Sequence, residues 1–427
     1  INAIGQPVTP ASRAAVEAAR AAYNALGQKL QERVGNYDVL LAAEARLAEL
    51  NAQDIYKTTG DFIVSKGAPV TGSIGGEWAV LGLARSGRDV PGADAYYASV
   101  VEYVQKAMDE NGRLNRSRST ENSRLILALT AIGKDVTHVA GRSLLDGLDS
   151  MSFITKQSVN GPVWALLALD SHGYPTSGDV TREKLVRAIL DTQREDGSWP
   201  VIASSQVPDV DMTAMAMIAL APYKDSNATA KKMYDAGWKY IESNRDDQGN
   251  YGGKSYDPCC TNAYVVIAKC AAGQTGMEDT VSWMLKNCLG KKGFNLNGEY
   301  NGMSTYQGMM AMAAYQRAKA GKAGLFNMSD VSKRVIQVTK PTLKGNKTYN
   351  GKKQTVTLPA SGFYTVSGTT SATKVGKYTV TVTLNDKTNT TWADGSTADL
   401  KLTWEITKPS NTITVKNVTK TASTKTQ

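Results

Sequence analysis

Residues 193–223 read QREDGSWPVIASSQVPDVDMTAMAMIALAPY, and this stretch decides the fold. A charged helix ends at Gln193, a polar turn follows at Asp196 and Gly197, and Trp199 comes directly after it. A short loop then leads into a strongly apolar helix beginning near Asp211. The unit is a helix pair: one member amphipathic and facing solvent, the other apolar nearly all round and therefore buried.

Working outward, the same unit recurs from about residue 51 to residue 319. Aligning the apolar segments on their small residues pairs Gly82, Ala128, Ala168, Ala219, Ala268 and Ala313, at steps of 46, 40, 51, 49 and 45 residues. Two helices of three to four turns with their loops occupy about 40–47 residues, which fits six copies. The segments 74–85, 121–133, 160–172, 210–222, 261–272 and 304–317 read as inner helices. Amphipathic segments near 52–66, 94–108, 139–155, 179–194, 226–244 and 277–288 read as outer helices. Small residues let neighbouring backbones approach around a ring, so the pattern predicts a closed (α/α)6 toroid in preference to an open solenoid.

The string Gln193, Asp196, Gly197, Ser198, Trp199 resembles the Q-x-x-D-G-x-W motif of the squalene cyclase and prenyltransferase repeat superfamily, with DVDMTAMAMIALAPY as its inner helix. Degenerate copies stand at Gly249 to Tyr251 and at Gly293 to Phe294. With GEWAVLGLARSGRDVP, LALTAIGKDV and NGPVWALLALDSHGY, the whole is similar to the toroid domains of Gram-positive cell-wall surface proteins, distant relatives of intrinsic factor and transcobalamin. The likeness covers about 270 residues and implies architecture more firmly than activity. Through it a corrinoid ligand stays open, although the β-domain that completes the cobalamin site in the vertebrate carriers is not recognisable. No other cofactor is implied.

The length of 427 residues suggests about three domains. Residues 1–50 read as an Ala-rich helical hairpin or bundle, 51–328 as the toroid, 329–408 as an Ig-like β-sandwich, and 409–427 as a linker into a further repeat. The strand region alternates Val, Thr and Tyr with polar residues, and VGKYTVTVTL and TWADGSTADLKLTWEI resemble stalk repeats of Firmicutes surface proteins. The chain starts at Ile1 and stops in a Thr/Lys-rich stretch, so it reads as a monomeric module of a longer, secreted or cell-wall-anchored polypeptide. The net charge of +10 is concentrated at one end: residues 331–427 carry +11 and residues 1–330 carry −1. Lysines scattered along Thr-rich strands protect strand edges, and without Arg and aromatics clustered on one face they do not make a nucleic-acid surface. No apolar run of about 18 residues is present to insert in a membrane.

The four cysteines fall between 259 and 288 without a Cys-x-x-Cys pair, and His138 and His172 lie far off, so no zinc site is expected. Cys259 or Cys260 is expected to bridge to Cys288, with Cys270 about 15 Å up its helix from Cys260 and left as a thiol.

In a toroid the inner-helix N-termini gather at one mouth. There the sequence places Glu77, Trp78, Asn122, Asn160, Trp164, Asp209, Asp211, Tyr256, Asn262, Tyr306 and Gln307 as candidate ligand contacts. Helix capping accounts for many such polar residues individually; collectively, polar groups with aromatics describe a ligand site. Class II terpene cyclases protonate substrate with the middle carboxyl of D-x-D-D, and the resemblance would make Asp211 that acid. Met212 stands where the last Asp belongs, which argues against catalysis. The resulting expectation is a non-catalytic, adhesin-like binding protein taking a small molecule at the mouth, or a host glycoprotein or immunoglobulin on the outer face. The alternative is an enzyme acting on a carbohydrate or isoprenoid.

Overall fold

The structure is a computed structural model and describes residues 1–65, 69–202, 204–205, 207–253, 255–410 and 414–417, without the side chains at 48–49, 51–53, 55–57 and 63–64. Most of the linker read at 409–427 lies outside the described residues. The chain is mixed α and β and forms two compact units, Ile1–Ile336 and Gln337–Gln427.

The first unit opens with α1 (Arg13–Asn24), α2 (Gln28–Gln31) and α3 (Tyr37–Ser65). Val16 and Ala19 pack against Leu40, Ala43 and Leu47, and Arg20 pairs with Glu44 at 2.6 Å across the two long helices. The boundary expected at residue 50 falls inside α3. No Gly or Pro interrupts residues 37–59, so nothing ends the helix there.

Then come α4 (Ile74–Arg85), α5 (Ala93–Ala107), α6 (Thr120–Ala131), α7 (Met151–Ile154), α8 (Asn160–Asp170), α9 (Arg182–Leu190), α10 (Val210–Leu220), α11 (Ala228–Ser243), α12 (Pro258–Ala271), α13 (Glu278–Asn287) and α14 (Gly302–Lys319). The six apolar helices pack in succession, α4 on α6, α6 on α8, α8 on α10, α10 on α12 and α12 on α14. The succession returns to its start, because α14 also packs on α4. Gly82 sits at that last contact, where a Cβ would come within 3.0 Å of Met309. Ala128, Ala168, Ala219, Ala268 and Ala313 are all buried, as helices in close approach require. The amphipathic helices α9, α11 and α13 lie against α8, α10 and α12, and α3 lies against α13 and α14.

One expected outer helix is replaced. Residues 139–155 form a 3-10 turn over Leu144–Leu148 and the single turn α7. Ser143 and Ser150 each cap a new start, and Gly147 passes so close to Asn122 that a Cβ would meet its Nδ2 at 2.3 Å.

The Gln193 to Trp199 motif is a brace. The Gln193 side-chain amide donates to the carbonyls of Gly197 and Met233, tying the end of α9 to α11 at 2.9 and 2.8 Å. Asp196 accepts from the Ser198 amide and hydroxyl, which shapes the turn. Gly197 has φ +87°, and a Cβ there would come 2.4 Å from the Ala236 carbonyl, so only glycine fits. Trp199 is fully buried and its indole N–H donates to Ile189 O at 2.7 Å.

A short pair, β1 (Asn295–Leu296) and β2 (Glu299–Tyr300), lies in the first unit, and the later strands lie in the second except for Ile336, the last residue of the first. The strands are β3 (Ile336–Val338), β4 (Lys347–Thr348), β5 (Gln354–Thr355), β6 (Tyr364–Gly368), β7 (Ser371–Ala372), β8 (Gly376–Leu384), β9 (Thr390–Trp392) and β10 (Leu400–Thr407). One sheet runs β4-β10-β8-β6, with pairs β5-β7 and β3-β9 beside it. Alternation along β8 buries Val380, Val382 and Leu384, and Val380 packs with Val356, Trp404 and Ile406.

Candidate functional site

Two residues read as ligand contacts, Asn122 and Asn262, turn out to hold loops, and Thr213 and Thr305 do the same at two further glycine turns. Asn122 accepts from the Leu114 amide at 3.0 Å, Thr213 from Trp199 at 2.9 Å, Asn262 from Tyr251 at 2.9 Å and Thr305 from Phe294 at 3.0 Å. In each case the first turn of an apolar helix pins the apolar residue that follows a glycine turn. Asn122 and Asn262 are fully buried in this role. The copy at Asp109, Gly112 and Leu114 escaped the sequence reading because Leu stands where the motif has an aromatic; its signal was the Asp and Gly spacing.

Glu77 is also internal. Its carboxylate accepts from Arg124 at 2.9 Å and from the Gly72 amide at 2.8 Å, and Arg124 reaches Glu121 at 2.5 Å. Burial nevertheless pushes the Glu77 carboxyl up, against the pull of Arg124. Trp78 and Trp164 are buried against each other with ring centroids 4.9 Å apart, and Phe326 lies 5.8 Å from Trp164. Tyr306 lies over Gly75 of α4. Asn160 is half-buried at the start of α8.

The remaining candidates, Asp209, Asp211, Tyr256 and Gln307, line one cavity of about 760 Å³. It opens at the N-termini of α10, α12 and α14, whose caps are Asp209, Asp257 and Asn301. Each cap accepts a backbone amide of its helix, from Met212 at 2.7 Å, Cys260 at 3.1 Å and Ser304 at 3.0 Å. Asp211 is not a cap. Its Oδ1 accepts from the Thr261 hydroxyl at 2.5 Å, which links α10 to α12. Burial pushes its carboxyl up to about 7 against the Thr261 bond, and Asp209 and Asp257 add to the rise. The walls include Tyr240, Tyr251, Tyr264, Met215 and Met303. None of these was placed among the ligand contacts from sequence, since each is apolar or aromatic at ordinary helix or loop spacing, and Tyr251 stood out only as the end of a degenerate motif copy. Val207 and Tyr256, both strongly exposed, form the rim.

The cysteines lie beside this cavity. All four are thiols in this structure, so the expected bridge is not formed. Cys259 has Cys288 as a neighbour, and burial, with that neighbour, raises its thiol. Cys260 is turned to Asp257, donating to Oδ2 at 3.0 Å, and cannot serve as the alternative partner in that orientation. Ser304 donates to the same oxygen at 2.7 Å.

At the C-terminal ends of α8, α10 and α12 a second cavity of about 660 Å³ is lined by Leu167, Ile218, Ile267 and Phe326. Residues 324–330 cross this end, held by buried Arg85, which donates to the carbonyls of Gly324, Leu325 and Asn327 and pairs with Asp330. Among the described residues no cluster of His, Cys, Asp and Glu is arranged to hold a metal, and no helix is long and apolar enough to cross a membrane. No protein-family model matches the chain, and no curated protein matches it. The functional reading therefore rests on the chemistry of the cavity.

Proposed function

We propose that residues 51–328 form an (α/α)6 toroid whose mouth binds a small ligand, and that the strand-rich unit after it is an Ig-like spacer in a secreted or cell-wall-anchored surface protein. The returning succession of six packed helices supports the toroid. The likeness of the sequence to surface-protein modules supports the location. The observation that carries the binding site is the cavity of about 760 Å³ in which Asp209, Asp211 and Gln307 stand among tyrosines, a size within the range of small-molecule sites.

The reading is tested by calorimetric titration of the protein with panels of saccharides, amines and corrinoids. A ligand of the mouth loses at least tenfold in affinity, about 1.4 kcal/mol, in the Asp211→Ala/Gln307→Ala double variant. Retained binding in that variant, with loss on changing the outer-helix residues Tyr103 or Lys239, moves the function to the outer face and to a macromolecular partner such as a glycoprotein or immunoglobulin.

A second reading is favoured by one observation. A carboxyl held protonated to about pH 7 beside two others is suited to general acid catalysis. Turnover of an isoprenoid or glycoside that disappears in Asp211→Asn would replace binding by catalysis.

A further inference from the structure

We propose that the second cavity, at the C-terminal ends of α8, α10 and α12, takes an uncharged, largely hydrocarbon molecule such as the ester of a medium-length acyl chain. This site lies at the opposite end of the apolar helices from the mouth and does not depend on it.

The walls follow from helices that stay apolar to their last turn. Leu167, Ile218, Ile267 and Ala271 come from the three helix ends, and Leu325 and Phe326 come from the strap that crosses them. Together they enclose about 660 Å³, within the range of small-molecule sites. Aliphatic walls hold water poorly, because an ordered water needs two to four polar partners.

The strap keeps this volume open. Arg85 of α4 holds the carbonyls of Gly324, Leu325 and Asn327, and Arg317 of α14 donates to the Ala323 carbonyl at 2.7 Å. Both arginines are buried, and both pair with Asp330. Hydrogen bonds from a guanidinium are stronger than those between neutral groups, so the strap is fixed by its anchors and does not sink into the space beneath it. Phe326 rests edge-on against Trp164 at 5.8 Å.

The polar side chains of the lining are spent on one another. Asp170 accepts from Arg182 Nε at 2.7 Å through Oδ1 and from the Tyr223 hydroxyl at 2.8 Å through Oδ2. Arg182 also donates to the carbonyls of Leu169 and Tyr174, and the Cys270 thiol donates to Met277. The helix ends are closed as well: the Tyr174 amide donates to Leu169 O at 2.8 Å and the Gln274 amide to Lys269 O at 3.0 Å. One cation and one anion in contact leave the lining without net charge. An organic anion would meet the negative ends of three helices, and an organic cation would find Asp170 already filled. Either ion would lose its hydration among aliphatic walls without a counter-charge. An uncharged hydrocarbon meets neither cost. The donors left over at the edge among the described residues, Arg182 Nη1 and Asn327 Nδ2, suit an ester carbonyl.

The test titrates the whole chain by calorimetry with methyl octanoate, octanoate and octylamine at pH 7, and records isoleucine and methionine methyl spectra alongside. The ester should bind about tenfold or more tightly than either ion and shift the Ile218 and Ile267 methyls, with Met215 and Met303 at the mouth unmoved. Ala271 is an exposed residue of the wall, so Ala271→Trp fills the cavity with little load on the fold. That variant should lose about tenfold or more in ester affinity. If it fails to fold by circular dichroism, the methyl shifts of the unaltered chain decide. Ions binding as tightly as the ester, no binding of the ester, binding that leaves Ile218 and Ile267 unmoved, or a folded Ala271→Trp with unchanged affinity overturns the inference.

Discussion

The Thr261 hydroxyl donates to Asp211 Oδ1 at 2.5 Å and so joins the first turns of two neighbouring apolar helices through a half-buried carboxyl. Asp257, the cap of the second helix, raises the proton affinity of Asp211 while Thr261 lowers it. This one contact places burial, like charge and a hydrogen bond on the same group.

Stability should depend on pH through Asp211. Its carboxyl holds a proton up to about 7 when folded, against about 3.9 in an unfolded chain. Between those values the folded state binds more protons, so stability falls as pH rises through that window. Asp211→Asn should raise Tm at pH 8, by no more than ~4 kcal/mol in stability, and leave Tm nearly unchanged at pH 4. Thermal melts at the two pH values check this. Equal effects at both would show that ionisation of Asp211 costs the fold nothing.

Glu77 and Arg124 form a buried pair, and removing one partner leaves a charge without compensation. Arg124→Met should cost about 3–5 kcal/mol, and Glu77→Gln combined with Arg124→Met should cost less than Arg124→Met alone. Urea denaturation of the two variants measures the difference. A double variant less stable than Arg124→Met would reject the pairing as the main role of Glu77.

Gly197→Ala should destabilise by ~1–3 kcal/mol from backbone strain alone, because φ is +87° and the new Cβ meets Ala236 O. Gly173→Ala, with open space around its position, is the control for strain without a clash, since its φ is +65°. Similar denaturation midpoints for the two would remove the brace from the account of this turn.

Burial raises the thiols of Cys259, Cys260 and Cys270, the last to about 12. In the folded chain at pH 8 they should resist alkylation by iodoacetamide. Under a mild oxidant any bridge formed should be Cys259 to Cys288, lost in Cys259→Ser and kept in Cys260→Ser. Peptide mapping without reduction reads the pairing, and a Cys260 bridge would contradict the observed orientation.

The helix pairs were legible because burial leaves a mark on composition: α10 holds Met, Ala, Ile and Leu on every side, and the six small residues recur at helix contacts. The replaced helix at 139–155 was not legible, because the close approach of Gly147 to Asn122 is a tertiary fact. Within the site, Asp211 stood out as a carboxyl at a helix start. Asn122 and Asn262 looked the same in sequence, yet each faces a loop amide. Residue type at a helix N-terminus does not say whether the side chain turns to its own loop or to the open end, and that choice separated pins from cavity walls.

The cavity as ligand site is tested most directly by methyl spectra of the protein labelled at methionine. Met215 and Met303 line the cavity, whereas Met310 and Met312 are buried in α14 and Met328 is bonded to Ser171 at the other end of the helices. On titration with a ligand found by calorimetry, the Met215 and Met303 methyl resonances should shift first and saturate with the calorimetric Kd, with Met328 unmoved. Saturable binding that shifts Met328, or none of these methyls, would contradict the assignment.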